Sequence, residues 1–143
     1  MNKGAKKTDP FPTSFGGGKR LANVLKIASG LANYGRSDLP EGTSLGIAAS
    51  GAETRYNPSF VACIAQVAVD KSSAAIDVQK LICAIDAGIV INPDGVKAQV
   101  EGSLMWGLSA ALLEKMTLNN GHVAERNFDT YKWQNMTKIP EIE

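Results

Sequence analysis

The sequence predicts an α+β fold: a mainly antiparallel sheet with a long hairpin, an N-terminal amphipathic helix, and one long central helix packed on the sheet. Three observations predict it. Apolar residues recur at helical spacing in two separate stretches, Lys19–Tyr34 and Gly95–Lys115. Between them lie apolar runs rich in β-branched residues and bounded by turn-forming residues, the pattern of strands. The resulting order of helix, strands, helix, hairpin and extended tail suits helices layered on an antiparallel sheet.

Met1–Gly18, with Pro10, Pro12 and the Gly16-Gly17-Gly18 triplet, reads as a flexible lead-in. The triplet lacks the preceding strand and the following Lys-Ser/Thr pair of a phosphate-cradling loop. Lys19–Tyr34 carries Leu21, Val24, Leu25, Ala28, Leu31 and Ala32 at helical spacing, and Gly35 follows as a C-terminal cap. Ser44–Glu53 reads as a strand whose small residues suit close packing. Phe60–Asp70 and Ala75–Asp86 read as the arms of a long antiparallel hairpin turning through Lys71–Ala74. A turn near Ser73 sets Cys63 roughly opposite Cys83. A cross-strand disulfide is within reach there, but such bridges are often strained, so free buried thiols are the favoured state.

The stretch Cys83–Lys115 organises the chain. Asn92 is suited to cap a helix, Pro93 to open it, and Asp94 to face the positive end of its dipole. Val96, Val100, Leu104, Gly107, Leu108 and Ala111 form one apolar stripe, and Gln99, Gly102, Ser103, Trp106 and Ala110 form a second strip. A helix apolar over most of its circumference is expected to be buried on several sides. Gly102 and Gly107 each cost roughly 1 kcal/mol relative to alanine, and are expected where another backbone or a ligand comes close. Beyond the helix, Met116–Leu118 and His122–Asn127 flank Asn119-Asn120-Gly121, a strong hairpin turn signal. The tail Phe128–Glu143, with Tyr131, Trp133, Met136, Ile139 and Ile142, is too apolar to hang free and is expected to dock on this domain or on a partner.

Composition removes several function classes. At 143 residues with 44% hydrophobic and 20% charged, the chain is one domain's worth of ordinary globular sequence. A formal net charge of +1 gives no field for nucleic acid. No stretch approaches the roughly 18 consecutive apolar residues of a membrane span, and no apolar segment follows the basic Met1–Lys7 as a secretory signal requires. The chain therefore reads as soluble. With one histidine and two cysteines, a His/Cys metal cluster is not expected. His122 sits in a turn with no nucleophile beside it, which removes a small hydrolase. Glu101 reads as an ion-pair or structural partner, and Asp86 as an acceptor of backbone hydrogen bonds in the turn at Gly88. No catalytic residue and no protein metal ligand is nominated.

The blocks Cys83-Ala84-Ile85-Asp86-Ala87-Gly88, Asn92-Pro93-Asp94, Gln99-Val100-Glu101-Gly102, Gly107-Leu108-Ser109-Ala110-Ala111 and Asn127-Phe128-Asp129-Thr130-Tyr131 occur in that order. Together they resemble the molybdopterin-binding large (beta) subunit of the xanthine oxidase/aldehyde oxidoreductase family, most of all its isoquinoline 1-oxidoreductase branch. The resemblance covers about Lys19–Glu143, so residues 19–143 are expected to be part of a molybdopterin-binding domain. It implies a molybdenum-dependent oxidoreductase acting on an aldehyde or N-heterocycle. The cofactor would be molybdopterin, often as a cytosine dinucleotide, with electrons leaving through an iron–sulfur small subunit. Gln99 matches a family glutamine that contacts the pterin; its carboxamide offers two donors and an acceptor, although it could equally bond a neighbouring loop. Gly102 and Ser103 lie on the same side and would admit a flat ring.

In that family the catalytic glutamate lies in a Gly-Glu-Pro-like block downstream of the matched segment, and further ligand loops lie upstream. The chain is accordingly expected to be a C-terminal-region fragment, inactive alone, forming one wall of the molybdopterin site and needing the remainder of the molybdenum subunit. The alternative expectation is a non-catalytic assembly module, with a homodimer through the apolar tail. The resemblance leaves the compartment of the full enzyme open between cytoplasm and periplasm.

Overall fold

The computed structural model describes residues 17–36, 38–54 and 57–143. Most of the expected lead-in lies outside the described residues. The elements are α1 (Gly17–Leu31), β1 (Thr43–Thr54), β2 (Asn57–Val69), β3 (Ile76–Asp86), α2 (Pro93–Leu112), β4 (Leu118–Asn119), β5 (His122–Val123) and β6 (Glu141–Ile142). They fall into two compact units. One comprises the chain up to Val90 with Pro140–Glu143; the other is Ile91–Ile139.

In the first unit a four-stranded sheet has the order β1-β2-β3-β6. β1 and β2 pair antiparallel from Thr43↔Ala68 to Thr54↔Asn57. β2 and β3 pair antiparallel from Phe60↔Asp86 to Val69↔Ile76, with an irregularity at Gln66/Val67. The expected hairpin is therefore present, and Cys63 faces Cys83 in its register. Its turn is organised by Asp70, whose carboxylate accepts from the Ser72 N–H and hydroxyl and from the Ser73 hydroxyl. Those bonds, Ser73's first, hold the Asp70 carboxyl down to about 2. The end of the tail returns as β6, parallel to β3, and Lys80 pairs with Glu141 at 3.0 Å and Glu143 at 2.7 Å.

Period-two alternation sends Phe60, Ala62 and Ile64 of β2, and Ile82 and Ala84 of β3, to one face. There they meet Val24, Ala28 and Ala32, one helical face of α1 and the turn after it. Arg20 locks the seating: its guanidinium lies 4.8 Å from the Phe60 ring centroid and donates twice to Asp86. The α+β class and mainly antiparallel sheet are as expected, and the helix that fills the sheet's core is α1. The expected burial of the central helix on several sides is not provided by this chain: Ser109 is the buried residue of α2. A helix apolar all round is buried only where surfaces meet it on several sides; among the described residues the segment after β5 meets it at Ser109.

In the second unit α2 starts as expected, with Asn92 as N-cap, Pro93 at the first position and Asp94 in the first turn. It ends at Leu112, short of the expected Lys115. β4 and β5 form a two-stranded hairpin, whose Asn120 (φ 49°) and Gly121 (φ 79°) adopt the positive angles of a tight primed turn.

Candidate functional site

The candidate site is built on one side of α2. The Asn92 side-chain oxygen accepts from the Gly95 N–H at 3.1 Å, which satisfies one of the helix's unpaired donors and fixes where its first turn begins. From that start, residues 99, 102, 103 and 106 stand at i, i+3, i+4 and i+7 and share a face. Gln99, Gly102, Ser103 and Trp106 line one open depression of about 450 Å³. The three residues nominated from sequence are thus brought together, and Trp106 joins them.

Each lining residue offers something different. Apart from its chain neighbours and the adjacent turns of its own helix backbone, no atom stands within 4 Å of where a Cβ on Gly102 would lie, so the glycine leaves open space. The Ser103 hydroxyl donates to the Gln99 backbone carbonyl at 2.7 Å, so only its lone pairs remain for a ligand. Among the described residues the Gln99 carboxamide has no hydrogen-bond partner, leaving two donors and an acceptor available. The Trp106 indole is 82% exposed. A carboxamide, a hydroxyl acceptor, a gap and an aromatic face suit a flat ring with a polar edge.

Charges stay off this face. Glu101 pairs with Lys97 at 3.8 Å along the helix, as its sequence role suggested. Asp86 accepts from the Gly88 N–H at 3.1 Å, also as expected. It accepts too from Arg20, a partner 66 positions away that no local pattern reveals. His122 is exposed at the start of β5. Among the described residues no group of three or more His, Cys, Asp or Glu is placed to hold a metal ion.

Ser109 is a residue that sequence reasoning passed over. It is 6% exposed, and its hydroxyl oxygen accepts from the Gln134 N–H at 2.9 Å. Glu114 lies beyond the end of α2 and accepts from the Tyr131 hydroxyl at 2.7 Å. Hydrogen bonds from Ser109 first and Tyr131 second hold the Glu114 carboxyl below its usual range. These bonds strap the segment after β5 to the end of the helix that carries the depression. The one signal in the sequence was a lone hydroxyl among Leu108, Ala110 and Ala111.

Residues 28–140 match the family of molybdopterin cofactor-binding domains. The chain belongs to this family. Three relatives place the domain. A membrane-bound aldehyde dehydrogenase [pyrroloquinoline-quinone] of Gluconacetobacter polyoxogenes is 39% identical over 132 residues, which is 92% of this chain and 17% of that protein. The isoquinoline 1-oxidoreductase subunit beta of Brevundimonas diminuta is 34% identical over 125 residues, 86% of this chain and 16% of the relative. The xanthine dehydrogenase molybdenum-binding subunit of Escherichia coli O157:H7 is 28% identical over 99 residues, 67% of this chain and 13% of the relative. The molybdopterin-binding domain described here thus spans about a sixth of the length of the first two relatives. All four lining residues lie inside the matched span, and their donors, acceptors and open glycine fit a pterin. Among the described residues no helix is long and apolar enough to cross a membrane.

Proposed function

We propose that this domain forms one wall of the molybdopterin site of a molybdenum-dependent oxidoreductase acting on an aldehyde or an N-heterocycle. The observation that carries the proposal is the depression in which Gln99, Gly102, Ser103 and Trp106 meet along α2. In it Gln99 pairs with the mixed donor–acceptor edge of the pterin or with its phosphate oxygens, Gly102 admits the ring, and Ser103 accepts one hydrogen bond. When bound, molybdopterin supplies the molybdenum and its redox chemistry; the residues of this chain bind and orient it. The cofactor is molybdopterin or its cytosine dinucleotide form. The general base and the other cofactor contacts come from the remainder of the molybdenum subunit, and electrons leave through an iron–sulfur partner. The chain by itself turns over no substrate and holds the cofactor weakly or not at all.

The test is made in a molybdenum subunit that carries this chain. Gln99→Leu is expected to lower bound pterin about tenfold, the effect of losing one or two well-placed hydrogen bonds. Pterin fluorescence after oxidative release and molybdenum content both read it. Unchanged pterin content in the variant would sink the assignment of Gln99. Recovery of pyrroloquinoline quinone in place of pterin from the unmodified subunit would sink the cofactor assignment.

A second reading, an assembly module that keeps the fold without catalysis, is favoured by the exposure of Phe128 (75%) and Met136 (85%). Apolar surface of that kind marks interaction sites. A stable homodimer of the purified chain in sedimentation equilibrium, indifferent to cofactor, supports it over the first.

A further inference from the structure

Cys63 and Cys83 face each other across β2 and β3, and the proposed cofactor site uses neither. Both are free and half-buried. Backbone hydrogen bonds on either side of the pair define its geometry. The Cys83 N–H donates to the Glu143 carbonyl at 2.8 Å, and the Leu81 carbonyl accepts from the Glu143 N–H at 2.9 Å. Backbone groups of successive strand residues point to opposite sides of the strand. Leu81 and Cys83 therefore turn theirs towards β6, and Ile82 and Ala84 turn theirs towards β2.

The same parity holds on the other flank. The Val69 N–H donates to the Gly42 carbonyl at 3.1 Å. The β1–β2 register runs unbroken from Thr43↔Ala68 to Ala48↔Cys63. Odd-numbered residues of β2, down to Cys63, thus direct their backbone groups to β1. No ladder bond joins Cys63 to Cys83, so they form a non-hydrogen-bonded pair. In such pairs the Cα atoms stand about 4.5 Å apart and the side chains are closest. Disulfides span Cα separations of about 4.4–6.8 Å. Their neighbours Ala62, Ile64, Ile82 and Ala84 fill the core beneath α1, so both sulfurs lie on the opposite face, where Ala48 stands opposite Cys63 and adds little bulk.

We propose that Cys63 and Cys83 are a disulfide-exchange site, a pre-aligned cross-strand dithiol that a small-molecule disulfide such as oxidised glutathione converts to an intramolecular bridge. One cysteine thiolate attacks a donor sulfur; the donor S–S bond breaks, one glutathione leaves, and a mixed disulfide forms. The second thiolate attacks the protein sulfur of that mixed disulfide and expels the second glutathione. The protein loses two protons and two electrons, and the donor is reduced to two thiols. Burial, and then the neighbouring Cys83, push the Cys63 thiol up to about 11, and burial also raises Cys83. Exchange is therefore slow near neutrality and quickens roughly tenfold per pH unit in the alkaline range, because only the thiolate attacks. The bridge ties β2 to β3 in mid-sheet, on the strand that also holds β6.

The test is to incubate the native chain with oxidised glutathione at pH 7 and pH 9 and follow intact mass and mapped peptides. The expected product is a monomer short of two hydrogen atoms, with Cys63 and Cys83 on one linked peptide and no accumulating glutathione adduct. Cys63→Ser and Cys83→Ser are each expected to stop at a single glutathione adduct. Accumulation of a doubly glutathionylated wild-type chain, covalent dimers, or no reaction at pH 9 would each overturn the proposal.

Discussion

Arg20 reaches Asp86 with two charge-assisted hydrogen bonds, at 2.7 and 2.6 Å, from the first turn of α1 to the end of β3. Both side chains are largely shielded, 23% and 31% exposed. The hydrogen bonds from Arg20 are the main cause that lowers the Asp86 carboxyl from its ordinary value, with the Gly88 N–H helping. A depressed folded-state value stabilises the fold above the unfolded value near 4 and ceases to do so as pH falls through the folded value. Arg20→Met should therefore cost about 1–2 kcal/mol at pH 7, the scale of a bidentate, partly shielded pair. That difference should shrink as pH falls below about 4. Urea melts at pH 7 and pH 3 check both statements. The turn acceptor role of Asp86 was legible because Gly88 is two residues away; its arginine partner was not, since nothing local links positions 20 and 86.

Among the elements, α2 shows how far local chemistry reaches. Its start was legible because Asn92, Pro93 and Asp94 satisfy donors and dipole within one turn. Asn92→Ala should cost about 1 kcal/mol of helix stability, visible as faster amide exchange in the first turn, while Asn92→Asp should retain protection. The β4–β5 hairpin was legible for the same reason, since Asn120 and Gly121 tolerate positive φ. Spacing alone put Gln99, Gly102, Ser103 and Trp106 on one strip of α2. That they bound a depression, and that the Ser103 proton is already given to its own helix, depends on side-chain rotamers that periodicity does not specify.

At the scale of the molecule, the buried apolar cluster among the described residues belongs to the sheet and α1, with Phe60, Ile64 and Val24 their largest fully buried side chains. In the unit Ile91–Ile139, α2 buries only Ser109. Regions with few buried apolar contacts open at lower cost. Amide exchange should therefore be slowest in β2, β3 and α1 and faster throughout 91–139. Ile64→Ala should cost about 2–5 kcal/mol through the cavity it leaves, read from the far-ultraviolet melt of the sheet. Equal protection in both units would contradict the placing of the core.

Local sequence is sufficient for the approximate positions of α1, β1, β2, β3 and α2, the Asn92 cap, the hairpin turns and the opposition of Cys63 to Cys83, but not for the end of α2 or for β6. Each is settled within a few residues or by counting back across one turn. The long-range pairings needed the folded chain: α1 as the cover of the sheet, β6 alongside β3, Arg20 on Asp86, and Gln134 on Ser109 across 25 positions. Their energies depend on which surfaces meet and exclude water, and hydrophobic periodicity marks a face without naming its partner.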